Sequence, residues 1–180
     1  MTYTIRRAVP SDWEQIPPLY AQARRFMHEN GNPDQWGESF PPEELLRQDI
    51  AKGQLYVVEE GCQIHGAFAF IIGRDPSYAR IEDGAWLSEA EYGTLHRVAG
   101  DGKAHGLFDA MVAYCERQIP HLRVDTHADN RVMRHLIQKN GFAYCGIIHV
   151  EDQTPRLAFE KILEPGDGQR MEEGGRSGCV

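Results

Sequence analysis

The sequence predicts a single α/β domain in which strands and helices interleave around one core. Three observations carry that reading. A strand-like stretch, Gly93 to Ala99, runs through the glycine-rich turn Gly100-Asp101-Gly102-Lys103-Ala104-His105-Gly106 into an amphipathic helix, where Leu107, Ala110, Met111 and Tyr114 recur at i, i+3, i+4 and i+7. Two apolar runs, Leu55 to Glu60 and Gln63 to Ile72, flank the short turn Glu60-Gly61-Cys62 and read as a hairpin. Farther on, a helix-like segment ending at Gly141 leads into a strand from Phe142 to Val150. At 180 residues the chain can bury a substantial core without covalent staples.

The elements follow in order. Tyr3 to Arg7 is a short first strand. Ser11-x-x-Glu14 offers a capping box, but Pro17-Pro18 lacks the N–H groups a continuing helix needs. The expectation is therefore an initial turn, then a helix from Pro18 to His28, because proline suits a first helical position. Pro42 to Lys52 reads as a second helix, and the hairpin follows it. After the glycine-rich turn and its helix comes a strand, Leu122 to Thr126. Asp129 then serves as N-cap for a helix with the stripe Val132, Met133, Leu136 and Ile137. Lys139 sits in its last turn, and Gly141 supplies the left-handed residue that ends it. Leu157 to Ile162 is the last strand. From Glu164 onward the chain is Gly-rich, charged and without apolar periodicity. The expected organisation is one domain over 1–163 and a disordered tail over 164–180, with no internal repeat.

Composition narrows the function classes. A net charge of −8 makes nucleic acid a poor partner. No apolar run approaches the length of a membrane span, and the N-terminus lacks the basic and apolar regions of a signal peptide. Cys62, Cys115, Cys145 and Cys179 show no C-x-x-C spacing; three fall in apparent core elements and one in the tail, which suits a reducing compartment. A cytoplasmic protein is expected. His121, His127 and His135 match no common metal-ligand spacing, so no metal is expected.

The glycine-rich turn is the candidate site. A turn feeding a helix start leaves backbone N–H groups unpaired and aimed at one point, with the helix dipole behind them. That geometry suits a phosphate-like anion, and Lys103 and His105 add donors. A nucleotide P-loop needs a hydroxyl after the lysine, where this chain has Ala104. The dinucleotide fingerprint needs three glycines in a register that Gly100, Gly102 and Gly106 miss by one residue.

A strand, then R/Q-x-x-G-x-G/A, then a helix fits better. Gly102-Lys103-Ala104 supplies the G-x-G/A core, with Ala99 where the pattern has Arg or Gln. A second block, Asn130-Arg131-Val132-Met133-Arg134-His135-Leu136-Ile137-Gln138-Lys139-Asn140-Gly141-Phe142, follows about one strand later and resembles N-x-x-A-x-x-L-Y-x-K-x-G-F. Together the two blocks resemble the GNAT superfamily of acyl-CoA-dependent N-acyltransferases, over nearly the whole domain.

That resemblance implies a central mixed, mostly antiparallel sheet, splayed in the middle and flanked by helices. It implies acetyl-CoA as co-substrate, no metal, and an amine-bearing small molecule or protein as acceptor, with a homodimer left open. Arg97, Val98 and Ala99 would offer backbone groups to the pantetheine arm in the splay, Val98 foremost. Gly102, Lys103, Ala104, His105 and Gly106 would cradle the diphosphate, and Asn130 would touch the cofactor. The basic residues Arg97, Lys103, His105, Arg131 and Arg134 cluster around these blocks, apart from the acidic surplus.

Acyl transfer to an amine needs a base, and His96 is the candidate. It alternates with Thr94 and Val98 on one strand face, and an imidazole titrates near neutral pH. His127 is the alternative, and Asp125 could orient either ring. No acid is assigned: the family's tyrosine position holds Ile137, which leaves Tyr144 or water. Acceptor choice is expected in two irregular segments, Asn30 to Pro41 and Arg74 to Glu91, with Trp36 and Tyr78 as lining or as anchors. The alternative function is a non-catalytic acyl-CoA-binding or regulatory domain.

Overall fold

The computed structural model describes residues 3–164, so the expected tail lies, apart from Glu164, outside the described residues. In chain order the elements are β1 (Thr4–Arg7), α1 (Ile16–Glu29), α2 (Glu43–Ala51), β2 (Leu55–Glu60), β3 (Gln63–Ile72), β4 (Gly93–Gly100), α3 (Leu107–Glu116), β5 (His121–Thr126), α4 (Arg131–Lys139), β6 (Ala143–His149) and β7 (Pro155–Ile162). The strands form one sheet in the order β1-β2-β3-β4-β5-β7-β6. All neighbours are antiparallel except β4 and β5. The expected mixed, mostly antiparallel sheet with flanking helices is the one observed.

Local departures from expectation have local causes. Helix α1 starts at Ile16, because Pro17 and Pro18 fall in its first turn, where N–H groups have no intrahelical partner anyway. The Ser11–Glu14 box does not form the entry to this helix. Instead Asp12 accepts the Val9 N–H at 2.8 Å and is gripped by both Nη atoms of Arg6, at 2.8 and 2.9 Å. The cap of α4 is Asn130 rather than Asp129: its Oδ1 accepts the Met133 N–H at 3.0 Å. Of the proposed α4 stripe, Ile137 is fully buried while Val132 is exposed. Cys115 and Cys145 are buried, but Cys62 is exposed in the hairpin turn.

The core divides by sheet face. On one face α3 and α4 bury Leu107, Phe108, Met111, Val112, Cys115 and Ile137 against Phe68, Leu95, Leu122, Val124 and Phe159. On the other, α1 and α2 bury Ile16, Leu19, Tyr20, Ala23 and Leu46 against Leu55, Val57, Ala67, Ala69 and Ala99. Covered on both faces, β2 is apolar from Leu55 to Val58 without alternation. Over β6 and β7 the second face is covered by the loop between β3 and β4, which packs Tyr78 and Tyr92 on Ile148 and Ala158. Gly146 makes that close packing feasible. Its φ is +146°, and a Cβ there would sit 2.5 Å from the Glu82 carbonyl oxygen.

A buried ionic node ties this loop down. Glu160, fully buried, accepts from His121, from Arg123 Nε at 2.9 Å and from the Leu87 N–H. Arg123 also donates to the Ser88 carbonyl at 2.6 Å and lies 3.9 Å from the ring centroids of Trp86 and Tyr92.

Candidate active site

Strands β4 and β5 pair only at Gly93–Leu122 and Thr94–Arg123, and beyond Thr94 they part. The cause is a bulge in β4. Opposite β3, Ala69 pairs with His96 and Ala67 with Ala99, so one extra residue is inserted in β4 between those pairs. Arg97 adopts φ +52°, a left-handed conformation that costs a non-glycine residue roughly 1–2 kcal/mol. Tertiary contacts hold it there. Arg97 Nε and Nη2 grip Asp49 on α2 at 2.9 and 2.8 Å, and the Tyr20 hydroxyl on α1 donates to the Arg97 carbonyl at 2.8 Å.

The bulge also corrects the expected alternation along β4. Val98 packs with the Leu95 cluster, on the face opposite Ala99, so Thr94, His96 and Val98 do not share one face. None of residues 95–100 pairs with β5, so the backbone of Val98 and Ala99 borders an open gap. The Arg97 carbonyl is committed to Tyr20, and its side chain turns away to Asp49.

His96 is partly buried at the edge of this gap, with its Nε2 2.8 Å from Asp75 Oδ2. Asp75 is itself fixed: its Oδ1 accepts the Ser77 N–H at 2.8 Å, and its own N–H donates to the Tyr92 hydroxyl at 3.0 Å. Burial pushes the Asp75 carboxyl up, but hydrogen bonds from His96 and Ser77 outweigh it and hold the pKa below the ordinary value. The Tyr78 ring centroid lies 6.1 Å from that of His96, and its hydroxyl donates to Asp125 Oδ1 at 2.6 Å. Asp125 is thus taken by Tyr78 and does not orient His96. His127 lies past the end of β5 beside Asp129.

The glycine-rich turn closes on itself. Asp101 Oδ1 accepts the N–H groups of Lys103 and Ala104, at 2.9 and 3.1 Å, while Oδ2 is 2.8 Å from His65 Nδ1. Burial raises the Asp101 pKa, yet these bonds prevail and hold it below the ordinary value. Gly102 and Gly106 both take positive φ, +69° and +73°, and Gly106 is the N-cap of α3. With the Lys103 and Ala104 N–H groups taken, the donors left for an anion are those of Gly102, His105, Gly106 and the first turn of α3, flanked by the exposed Lys103 and His105 side chains. Beside them a cleft of about 340 Å³ opens between α1 and the turn, lined by Gln22, Arg25, Phe26 and Lys103 among others.

The segment between α1 and α2 reaches across the gap. Gln35 Oε1 accepts from Asn32 Nδ2 at 2.8 Å, Asn130 Nδ2 at 2.9 Å and Thr126 Oγ1 at 3.4 Å. Asn130 therefore has both ends of its amide engaged, one on the helix and one on Gln35. Trp36 packs at a tilt between Tyr20 and Phe40, with centroids 5.9 and 6.1 Å away, and Tyr78 is buried; both anchor their loops. Arg134 is spent on the Ala128 carbonyl at 3.0 Å.

Sequence reasoning missed Asp75, Asp49, Tyr20 and Gln35. Asp75-Pro76 was legible as a turn, since a carboxylate before proline caps the next residues. Its pairing with a residue 21 positions away carries no local signal.

No protein-family model matches the sequence, and no curated protein does. Solved structures do. An acetyltransferase of the GNAT family from Streptococcus agalactiae is 30% identical with a TM-score of 0.82, over 91% of this chain and 96% of that one. A GNAT-family acetyltransferase from Listeria monocytogenes is 20% identical with a TM-score of 0.67, over 89% and 95%. The ribosomal-protein-alanine N-acetyltransferase of Brucella melitensis is 19% identical with a TM-score of 0.60, over 89% and 99%. At those lower identities the second and third are likenesses of fold alone.

Proposed function

The chain belongs to the GNAT family of acetyltransferases, and on that premise we propose that it moves an acetyl group directly from acetyl-CoA to a primary amine. The single observation that carries this reading is His96, held by Asp75 at the edge of the gap that the Arg97 bulge opens. The first turn of α3, with Lys103 and His105, faces the diphosphate, and Arg25 lies in the cleft beside it. The pantetheine arm follows the unpaired edge of β4, where the backbone of Val98 and Ala99 hydrogen-bonds it and polarises the thioester carbonyl.

His96 accepts a proton from the attacking amine as the new C–N bond forms. The C–S bond then breaks, its electron pair leaving with sulfur, and the thiolate takes a proton from solvent. Ile137 is fully buried and offers no acid. Asp75 keeps one ring nitrogen of His96 engaged, so the other is the one presented to the amine. The cytoplasm is the compartment that suits a CoA-dependent reaction. Among the described residues no helix is long and apolar enough to cross a membrane.

The test is His96→Ala, assayed for CoA release with an amine panel and for acetyl-CoA affinity by calorimetry. Turnover falling by about two orders of magnitude at unchanged affinity is the expected result. Unchanged turnover across pH removes His96 from the reaction. Acetyl-CoA binding without any amine-dependent CoA release, in the native protein, favours a non-catalytic acyl-CoA-binding role instead.

A further inference from the structure

Arg156 is buried at 7% exposure, yet its hydrogen bonds go only to uncharged oxygens. Nη1 donates to Thr154 Oγ1 at 2.8 Å and to the Pro155 carbonyl at 3.0 Å, and Nη2 donates to the Gln35 carbonyl at 3.3 Å. It makes no ion pair among the described residues. That is unusual for a buried charge, which is ordinarily paired because desolvation is costly. Arg6 and Arg97 show the ordinary arrangement in this same chain: each presents Nε and Nη2 as a fork to one carboxylate. On Arg156 the corresponding fork carries only the long bond to Gln35.

Its place in the fold is informative. Residue 158 of β7 pairs with Asp125 of β5, so Arg156 is the diagonal neighbour of Asp125 at the open end of the gap. The carboxylates of Asp125 and Asp152 attract the guanidinium without bonding to it: Asp125 accepts from the Tyr78 hydroxyl and Asp152 from Thr154. Tyr78 in turn lies against His96. Gln35, which reaches Arg156 through its carbonyl, spans the gap through its side chain. One buried tyrosine, Tyr78, therefore adjoins both the His96–Asp75 pair and Asp125, the diagonal neighbour of Arg156.

We infer that Arg156 reads a carboxylate on the acceptor, so that the amine substrate is an amino acid or another small molecule carrying both groups. This rests on the acetyl-transfer reading, which makes this side of the gap the acceptor's. The charges fit such a molecule: the carboxylate of Asp75 stands at the amine end, and a fixed cation at the other. The planar guanidinium fork matches a carboxylate in two parallel hydrogen bonds, whereas an amide or ester offers it one neutral oxygen. Desolvation already depresses the Arg156 pKa, and an incoming anion would reverse that penalty.

The experiment compares matched probes: common L-amino acids and ω-amino acids, each beside its primary amide and its decarboxylated amine. CoA release is measured with acetyl-CoA, and binding of the same probes is measured by saturation-transfer NMR in the presence of CoA. The expected result is a preference for the carboxylate member of about tenfold or more in kcat/KM. In Arg156→Gln that preference disappears, while acetyl-CoA affinity and Tm hold; Arg156→Lys keeps part of it. Equal binding and turnover within every pair, or no carboxylate-dependent binding at all, overturns the inference, and so does a preference that survives Arg156→Gln. Arg156-dependent binding without CoA release leaves this site standing and defeats the transfer reading. Acetylation of amines irrespective of a carboxylate does the reverse.

Discussion

His96 Nε2 lies 2.8 Å from Asp75 Oδ2, and both side chains are about four-fifths buried, at 19% and 20% exposure. A carboxylate so placed orients the imidazole and stabilises the charge it acquires on taking a proton. Asp75→Asn should lower kcat by roughly one to two orders of magnitude and leave the acetyl-CoA Kd unchanged. The relationship is reciprocal. Burial raises the Asp75 pKa and the His96 hydrogen bond is the first force lowering it, so His96→Ala should move the carboxyl titration upward in an NMR experiment. An Asp75 titration indifferent to that substitution refutes the pairing.

The Arg97 bulge depends on partners outside its own strand. Asp49 is 3% exposed, and its removal leaves a guanidinium buried without its counter-charge. Asp49→Ala should cost about 3 kcal/mol in denaturant unfolding. Tyr20→Phe, which leaves the Arg97 carbonyl without its donor, should cost about 1–3 kcal/mol. Both should weaken acetyl-CoA binding as β4 relaxes toward regular pairing. Unaltered calorimetric affinity in Asp49→Ala would separate the bulge from the cofactor site.

Glu160 links sheet and loop, so its loss should be felt at a distance. Glu160→Ala leaves Arg123 and His121 buried without their carboxylate and should cost about 3–5 kcal/mol. The loop carrying Asp75 and Tyr78 should loosen with it, because Leu87 and Ser88 lose their anchors. Limited proteolysis should then cut between residues 79 and 91 before any other described segment.

Acid should destabilise the protein in a defined window. The Arg6 hydrogen bonds lower the Asp12 pKa, and the Lys139 and Asn140 bonds lower that of Asp109. In Asp75 and Asp101 burial acts upward, but hydrogen bonding wins. Each folded pKa lies below its unfolded value, so each contributes stability when ionised and loses it as pH falls through the folded pKa. Asp49 runs the other way, since burial raises its pKa against the pull of Arg97. The net expectation is a Tm that declines below about pH 4, less steeply in Asp12→Asn.

By itself the sequence determined the elements and their order. The hairpin bounds, the strand before the glycine-rich turn and the helix ended by Gly141 all follow from short-range pattern: apolar period, turn residues and caps. The two motif blocks likewise pointed to the family, because each is contiguous. Local errors arose where two neighbours could do one job, as with Asp129 and Asn130 at a helix start. Only the tertiary structure decided the site's chemistry. The partner of His96, the grip of Asp49 and Tyr20 on Arg97, the reach of Gln35 across the gap and the bond of Arg156 to the Gln35 carbonyl each join residues far apart in sequence. The bulge shows why. Nothing in Leu95-His96-Arg97-Val98 asks for a left-handed arginine; a buried carboxylate on α2 and a phenol on α1 impose it, and with it the opening of the sheet.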